Sequence, residues 1–200
     1  LEVGLEWKMG EVTGVKLEGQ PKIIEVGNEE IRAQAVIIAS GAQPRYLGVP
    51  GEKELAGRGV SYCATCDGAF YRDQDVVVVG GGDSAVEEGI FLTRYASSVT
   101  IVHRRDKLKA QAILQERAFK NSKIKFIFDS VAEEIQGDSK VEGVLIRNAK
   151  DNSTSVIEAT GVFIYIGLVP NTKFLQDTGI LDEQGYVVAG LNMSTNIPGV

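Results

Sequence analysis

The sequence is poor in the residues that bind metals and nucleic acids. It contains one histidine and two cysteines in 200 residues, whereas a structural zinc site needs about four nitrogen and sulfur ligands. We therefore expect no metal centre. The net charge of -6 argues against a surface that binds nucleic acid. No apolar run approaches the roughly 18 residues that a membrane span requires, so we expect no membrane association.

The remaining composition is that of an ordinary globular protein. Hydrophobic residues make up 44% and charged residues 24% of the chain, which is long enough for one large core or two smaller ones. The first residues, Leu1-Glu2-Val3-Gly4, lack the charged and then apolar pattern of a secretory signal. We therefore expect a cytoplasmic protein, in which two cysteines are more often catalytic than structural.

Both cysteines lie in one short segment, Ser61-Tyr62-Cys63-Ala64-Thr65-Cys66-Asp67-Gly68. Thiols at this Cys-x-x-Cys spacing can close a small disulfide ring that cycles between oxidised and reduced forms. Asp67 follows directly and can act as the general acid and base that disulfide exchange requires. Two alternatives stay open: the cysteines are buried and unreactive, or Asp67-Gly68 serves only as a turn.

The beginning of the chain has the pattern of an antiparallel meander followed by a buried strand. Short alternating runs within residues 1–34 are separated by turn residues such as glycine and asparagine. The continuous apolar run of residues 35–39 then predicts a strand buried on both faces of a parallel sheet. This run leads into the sequence Gly41-x-x-Pro44.

The same order of elements recurs in the second half of the chain. A second meander leads into the apolar run of residues 162–166 and then into Gly167-x-x-Pro170, at the spacing of Gly41 and Pro44. We interpret this as an internal repeat of one domain type. Only the second copy begins with a strand and a glycine turn. We therefore expect that the chain starts in the middle of the first domain and stops before it is complete.

Residues 75–85 have the pattern of a buried strand, a glycine turn and the start of a helix. Gly80 permits a tight turn, Gly82 lets backbone amides approach a pyrophosphate, and Ala85 is small enough for the helix to pack on the strand. Apolar residues continue at helical spacing, and the next strand follows at residues 99–102. This combination predicts a dinucleotide site with phosphate at the positive end of the helix.

A cluster of cations stands at the end of that next strand. His103-Arg104-Arg105 is followed by Lys107 and Lys109. An NAD site would place an acid here to hold the ribose hydroxyls, whereas cations bind a 2′-phosphate, so the sequence favours NADPH over NADH. The alternatives are a solvated basic start of a helix and neutralisation of one arginine by Asp106.

Two further predictions concern the elements around this site. Apolar residues at helical spacing predict an amphipathic helix over residues 107–121. Ile166 and Gly167 end a buried strand at the carboxyl edge of the sheet, where ligands bind in open α/β folds. They can therefore face the nicotinamide end of the cofactor, and a simple strand-to-turn transition is an equally supported alternative.

Three motifs together resemble the low-molecular-weight, bacterial type of thioredoxin reductase. They are Cys63-Ala64-Thr65-Cys66-Asp67-Gly68, the glycine turn continued to Glu88, and His103-Arg104-Arg105-Asp106. The resemblance extends over essentially the whole chain. Relatives that reduce peroxiredoxins usually have Pro-His between the cysteines, so Ala64-Thr65 favours the thioredoxin branch and leaves a peroxiredoxin system as an alternative.

The resemblance implies an α/β flavoenzyme fold with two dinucleotide-binding domains. A Rossmann-like NADPH domain, with a parallel sheet and an antiparallel meander, would occupy residues 45–169 and carry the redox disulfide. It would be inserted into a truncated FAD domain formed by residues 1–44 and 170–200. The full-length protein would reduce thioredoxin and form a homodimer.

The resemblance also implies roles for individual residues. Cys66 would face the flavin, Cys63 would attack the disulfide of thioredoxin, and Asp67 would handle the proton. With the residues derived above, the expected cofactor contacts are Gly80, Gly82, Asp83, Ser84, Ala85, Glu87, His103, Arg104, Arg105, Lys109, Ile166, Gly167, Ser40 and Gly41. Lys109 stands where this family commonly has arginine, so we expect somewhat weaker discrimination in favour of NADPH.

One alternative function remains at the level of sequence. The resemblance places a glycine turn for the FAD pyrophosphate upstream of this sequence and a flavin contact downstream of it. We therefore expect FAD to bind weakly or not at all to these 200 residues. On this alternative, the chain is a nucleotide-binding module that is catalytically silent by itself.

Overall fold

The structure is a computed structural model that describes Gly4 and residues 6–200. The chain forms two compact units. Unit 1 comprises Leu1–Gln43 and Val169–Val200, and unit 2 comprises Pro44–Leu168. Of the helices in the described part of the chain, none combines the length and apolar character needed to span a bilayer.

Most of the regular structure is β-strand. The strands are β1 (Val12–Lys16), β2 (Lys22–Val26), β3 (Glu29–Ala33), β4 (Ala42–Pro44), β5 (Val60–Ser61), β6 (Asp75–Gly80), β7 (Ser98–Val102), β8 (Ile124–Ile127), β9 (Ser130–Gln136), β10 (Gly143–Asn148), β11 (Thr154–Glu158), β12 (Gly161–Tyr165) and β13 (Leu168–Pro170). The helices are α1 (Ala64–Asp67), α2 (Asp83–Leu92) and α3 (Ala112–Phe119), and Gly68–Tyr71 and Lys173–Thr178 form 3₁₀ turns.

A five-stranded parallel sheet forms the centre of unit 2, in the order β5-β12-β6-β7-β8. Its middle strand, β6, carries four successive valines that are all buried. Val76 and Val78 belong to the apolar cluster that includes residues of α2 and α3, whereas Val77 and Val79 belong to the cluster that includes residues of β9 and β10. Strand β6 is therefore buried on both faces, as its continuous apolar pattern predicted.

The two faces of this sheet are covered by different structures. Val86 and Leu92 of α2 and Ala118 of α3 pack on one face. The antiparallel meander β9-β10-β11 packs on the other through residues such as Ile135 and Val144. Helices and a meander thus enclose the sheet, so that its carboxyl edge is the part left for ligands.

Unit 1 contains the first meander, β1-β2-β3. Its small core consists of Leu17, Leu175 and Ile180 with partly buried neighbours. The strand predicted over residues 35–39 is wrong for this structure: Ile37 is 94% exposed, and no described strand lies alongside the segment. A β-strand needs a neighbouring strand for its backbone hydrogen bonds, and here Val36 donates only to the carbonyl of Gly199 (2.9 Å).

The two Gly-x-x-Pro segments of the repeat have the same structure. They form β4 and β13, which pair with each other as a two-stranded sheet. The glycine that precedes each strand has a positive φ, 67° at Gly41 and 113° at Gly167, which a residue with a side chain adopts only with strain. The structure therefore agrees with the interpretation of these segments as equivalent copies.

The helix predicted over residues 107–121 is shorter than expected. Helix α3 begins only at Ala112 and ends at Phe119. The backbone before Ala112 does not continue the helix, because the amides of Lys109 and Ala110 both donate to the carbonyl of Gly81 (2.7 and 3.2 Å). Contacts to the glycine turn replace the first turn of a helix.

We predict that Leu92→Ala destabilises unit 2 by about 2–5 kcal/mol, because the side chain is fully buried between α2 and the sheet. Hydrogen exchange of the β6 and β7 amides measures this free energy for unit 2 alone. The same substitution at the fully exposed Leu191 is the control and should change the stability by less than about 0.5 kcal/mol. Equal effects of the two substitutions would contradict the packing described here.

Candidate redox and nucleotide-binding site

The two cysteines form a disulfide in unit 2, as their spacing predicted. Cys63 and Cys66 are joined with their Cα atoms 5.3 Å apart. They flank the start of α1, where the Cys66 amide donates to the Cys63 sulfur (3.2 Å). Cys66 is exposed and Cys63 is half-buried. The disulfide is therefore accessible from solvent, and the alternative of two buried, unreactive cysteines is wrong for this structure.

A buried serine positions the carboxylate beside the disulfide. The Ser61 hydroxyl donates to Oδ2 of Asp67 (2.6 Å) and accepts the backbone amide of Cys63 (3.1 Å). Ser61 is only 4% exposed and lies in β5, paired with Phe163 of β12. The orientation of Asp67 is thus tied to the parallel sheet rather than to a surface turn.

Tyr165 connects the disulfide segment with the glycine turn. Its hydroxyl accepts the backbone amide of Ala64, the first residue of α1, at 2.7 Å. Burial raises the pKa of the Tyr165 phenol well above its usual range; the hydrogen bond from Ala64 acts against this, and the charges of Glu88 and Asp67 add to it. The phenol therefore stays protonated. Tyr165 is also paired in register with Gly80 across β12 and β6.

Glu88, one helical turn into α2, is an unusual carboxylate. Its Oε2 is buried and has no hydrogen-bond partner among the described residues. Burial raises the pKa of Glu88, and the neighbouring charge of Glu87 raises it further. A carboxyl group that holds its proton more strongly than usual therefore lies near the phenol of Tyr165.

The glycine turn leaves an open cradle at the start of α2. A side chain at Gly80 would overlap the carbonyl of Tyr165, and one at Gly81 would overlap the ring of His103. Gly82 is different, because no atom lies within 4 Å of the position that its Cβ would occupy. No side chain caps the helix at Gly82, so no capping side chain occupies the N–H groups of the first turn. The backbone therefore fits a bound pyrophosphate.

The segment between β7 and α3 alternates between buried anchors and exposed cations. Leu108 and Ala110 are buried in the core. The exposed cations are Arg104, Arg105, Lys107 and Lys109. Within the described part of the chain none of the four lies in an ion pair, so the alternative in which Asp106 neutralises one arginine is not observed. This unpaired positive charge suits an anionic ligand such as the 2′-phosphate of NADPH.

His103, the single histidine of the chain, is buried beneath this segment. It is 7% exposed, and its Nε2 has no hydrogen-bond partner among the described residues. Burial lowers the pKa of His103, and the charges of Arg104 and Arg105 lower it further, while backbone groups of Lys107 and Gly80 act in the opposite direction. The ring is therefore neutral at physiological pH and packs against Gly81.

Comparison with known proteins identifies the family. The sequence profile described as "Pyridine nucleotide-disulphide oxidoreductase" matches residues 1–200. The chain belongs to this family. It is 53% identical over 200 residues to the thioredoxin reductase of Listeria monocytogenes and 50% identical over 198 residues to that of Bacillus subtilis. These alignments cover 100% and 98% of the chain but 63% of each relative, so the chain spans less than two thirds of their length.

Solved structures agree with the sequence comparison. The thioredoxin reductase of Lactococcus lactis superposes with a TM-score of 0.85 at 52% identity, over 95% of this chain and 63% of that one. The thioredoxin reductase of T. acidophilum superposes with a TM-score of 0.83 at 38% identity, over 94% and 62% of the two chains. The resemblance found from the sequence and the α/β fold with two dinucleotide-binding domains are thus confirmed.

In this pyridine nucleotide-disulphide oxidoreductase, unit 2 contains most of the residues that the sequence predicted for a site. Ser84 and Glu87 are exposed on the first turns of α2, and Ala85 is fully buried against the sheet. Ile166 packs on the apolar cluster beneath the meander, and Gly167 is exposed. Asp83 is already engaged within the protein, because both of its carboxylate oxygens accept hydrogen bonds from Gln111.

The two other predicted residues, Ser40 and Gly41, lie in unit 1, where their carbonyls accept hydrogen bonds from Asn171. A cavity of about 960 Å³ lies in the same unit and is lined mainly by apolar side chains. The described residues of unit 1 contain no strand, glycine turn and helix that could hold a flavin pyrophosphate. The open space at Gly82 in unit 2 is therefore the feature of the described chain that suits a dinucleotide phosphate.

Sequence reasoning missed three side chains of this site: Ser61, Tyr165 and Glu88. The signal for Ser61 was its position at the end of a short strand, two residues before the first cysteine. Tyr165 also ends a strand at the carboxyl edge of the parallel sheet. Polar residues at that edge are the ones to examine in an open α/β fold.

We predict that the NMR titration of His103 gives a pKa below the ordinary histidine value of about 6.5. The single histidine makes its Hε1 resonance unambiguous. Because the unfolded chain takes up a proton first, the contribution of His103 to stability is complete above the ordinary pKa and is lost as the pH falls. Replacing Arg104 and Arg105 by alanine should move the pKa of His103 upward. A pKa at or above 6.5 in the wild type would contradict the burial described here.

Proposed function

We propose that this chain is the central part of an NADPH-dependent, FAD-containing reductase that reduces thioredoxin through the Cys63–Cys66 disulfide. The observation that carries the proposal is that an accessible disulfide and an open dinucleotide cradle share one unit and are joined through Tyr165. The relatives named as thioredoxin reductases support the same assignment. Residues 45–169 would form the NADPH and redox domain, and residues 1–44 and 170–200 parts of the FAD domain.

The nucleotide would be held by three groups of residues. The pyrophosphate would lie on the backbone at Gly80, Gly82 and the first turn of α2, which includes Asp83 and Ser84. Arg104, Arg105 and Lys109 would bind the 2′-phosphate, with His103 supporting them from below. Glu87, Ile166 and Gly167 would lie toward the nicotinamide, and Ser40 and Gly41 toward the flavin. The open space at Gly82 and the unpaired cations support this arrangement.

The disulfide would carry electrons to the partner protein. NADPH and FAD, when bound, supply the electron pair that reduces it. Reduction breaks the Cys63–Cys66 bond and adds two electrons and two protons, giving a dithiol. Cys63 gives its proton to Asp67 and attacks one sulfur of the thioredoxin disulfide as a thiolate, and the other thioredoxin sulfur leaves as a thiolate that takes this proton from Asp67. Cys66 then gives its proton to Asp67 and attacks the Cys63 sulfur of the mixed disulfide. This step forms the Cys63–Cys66 disulfide again and releases the second thioredoxin sulfur as a thiolate, which takes the proton from Asp67.

The chain's own residues support these proton transfers. Ser61 holds one oxygen of Asp67 and leaves the other free to exchange a proton. The amide of Cys66 donates to the Cys63 sulfur, a contact that stabilises negative charge when that sulfur becomes a thiolate. The choice of Cys63 as the attacking thiol and Cys66 as the flavin-facing one rests on the family resemblance. In unit 2, Cys66 is the more exposed of the two.

The alternative function is a nucleotide-binding module without catalysis. The described residues of unit 1 contain no strand, glycine turn and helix for a flavin pyrophosphate, which favours this alternative for the 200 residues taken alone, where we expect FAD to be weak or absent. For the full-length protein we propose a cytoplasmic homodimer with thioredoxin as its substrate. A peroxiredoxin system is less well supported, because Ala64-Thr65 separates the cysteines.

We predict that the natural full-length protein oxidises NADPH only when oxidised thioredoxin is present, and that Cys66→Ser abolishes this reaction without weakening NADPH binding. The reaction is followed by the loss of NADPH absorbance, and binding is measured by calorimetry. The double replacement of Arg104 and Arg105 by alanine should raise the KM for NADPH at least about tenfold and leave that for NADH nearly unchanged. A Cys66→Ser variant that still reduces thioredoxin would reject the redox role. A full-length wild type that binds NADPH but does not oxidise it in the presence of oxidised thioredoxin would contradict the proposed reductase function.

Substitutions at two neighbouring glycines distinguish an effect on NADPH binding from an effect on folding. We predict that Gly82→Ala leaves the stability unchanged but weakens NADPH binding, since its methyl group enters only the open cradle. Gly81→Ala should instead destabilise unit 2, because its methyl group overlaps the buried ring of His103. Calorimetry with NADPH and hydrogen exchange of the β6 amides measure the two effects. Unchanged NADPH binding by a folded Gly82→Ala protein would contradict the proposed pyrophosphate position.

A further inference from the structure

We propose that Asp83 and Gln111 form a clamp that holds the cationic segment in position, so that the pair sets the preference for NADPH over NADH. The inference rests on the proposed nucleotide site and adds a positioning role for two residues that need not touch the cofactor. The cationic segment is defined here as residues 104–109.

The clamp consists of two hydrogen bonds between Asp83 and Gln111, and two backbone hydrogen bonds to Gly81 lie beside it. Oδ1 of Asp83 accepts the backbone amide of Gln111 (2.7 Å), and Oδ2 accepts its side-chain Nε2 (3.2 Å). The carbonyl of Gly81 accepts the amides of Lys109 and Ala110 at 2.7 and 3.2 Å. The C-terminal end of the cationic segment is therefore tied directly to the turn that would hold the pyrophosphate.

The other end of the segment is held by the turn between β8 and β9. The amide of Ser130 donates to the carbonyl of His103 (3.0 Å), and the amide of Asp129 donates to that of Arg105 (3.1 Å). These contacts involve only backbone groups. Residues 104–109 are thus fixed at both ends, and Asp83 with Gln111 provides the side-chain contact at the end nearer the cradle.

In the described chain, the side chains of the four cations, Arg104, Arg105, Lys107 and Lys109, are not fixed by ion pairs. They are exposed and have no ion-pair partner among the described residues. Exposed arginine and lysine side chains lose considerable conformational entropy when they bind a phosphate. If the backbone that carries these side chains is already fixed before the nucleotide binds, less conformational entropy is lost on binding. Only the 2′-phosphate of NADPH uses these cations, so loss of the clamp should affect NADPH more than NADH.

Removing the carboxylate of Asp83 distinguishes the clamp from a simple electrostatic effect on nucleotide binding. The negative charge of Asp83 lies on the first turn of α2, where an anionic pyrophosphate would bind. By Coulomb's law alone, removing this charge should strengthen the binding of both nucleotides. The clamp predicts the opposite for NADPH. The two expectations differ in sign, so the size of the effect is not critical.

The experiment uses the 200-residue chain and calorimetric titration with NADPH and NADH. We expect Asp83→Ala, which removes both hydrogen bonds, to weaken NADPH binding about tenfold, as for the loss of hydrogen bonds to a charged group. Gln111→Ala removes only the side-chain bond and keeps the backbone bond to Oδ1, so it should weaken NADPH binding less, about threefold. Both variants should change NADH binding less than about twofold. Glu116→Ala, which removes an exposed carboxylate of α3 paired with Lys120, is the matched charge control and should change neither.

Exchanging the carboxylate and the amide between positions 83 and 111 tests whether the hydrogen-bonded pair can restore the preference for NADPH. Gln111→Glu alone places two carboxylates against each other and should weaken NADPH binding. Adding Asp83→Asn restores a donor and acceptor pair, because the new amide donates to the new carboxylate and its oxygen still accepts the backbone amide of residue 111. We expect the double variant to regain most of the preference for NADPH.

A second measurement needs no cofactor. Hydrogen exchange of the Lys109 and Ala110 amides should become faster in Asp83→Ala, while exchange of the β6 amides stays unchanged and shows that unit 2 is folded. Unchanged exchange at both amides, or equal factors of loss for NADPH and NADH, would overturn the clamp. Tighter binding of both nucleotides by Asp83→Ala would also overturn it. A wild-type chain that binds neither nucleotide would instead reject the proposed nucleotide site itself.

Discussion

The register between β12 and β6 is the constraint on which both halves of the candidate site depend. Tyr165 lies opposite Gly80 in this pairing, and its hydroxyl holds the first residue of α1 while its carbonyl fills the space beside Gly80. Both strands are buried on both faces, so a slip of one residue would exchange the side chains between two different apolar clusters. The core of unit 2 thus keeps the disulfide and the glycine turn at one edge of the sheet.

Features encoded by several neighbouring residues were predicted well from the sequence. The valines of β6, the glycine turn and the start of α2 follow from local pattern and from the small size of Ala85. The disulfide followed from the spacing of Cys63 and Cys66, and the structure confirms the bond. The exposed cations were found from their position at the end of the strand that follows the glycine turn, where an NAD site would have an acid.

Features that depend on distant partners were predicted poorly. Residues 35–39 have the same apolar pattern as β12, but only β12 has neighbouring strands in the described chain, and only β12 is buried. Residues 107–111 have a helical pattern, but the amides of Lys109 and Ala110 donate to the carbonyl of Gly81 and that of Gln111 donates to Asp83. Tyr165 contacts Ala64, which lies 101 residues earlier, and no local pattern indicates such a hydrogen bond.

The proposed reductase function depends most on the Cys63–Cys66 disulfide being exchangeable rather than structural. Its most direct test mixes the reduced Cys66→Ser chain with oxidised thioredoxin and identifies covalent products by mass spectrometry. We predict a mixed disulfide between Cys63 and thioredoxin that persists because the resolving thiol is missing, and that a thiol reductant releases. If no mixed disulfide forms, and the wild-type disulfide also resists reduced thioredoxin, the pair is a structural crosslink and the proposed reductase function is contradicted.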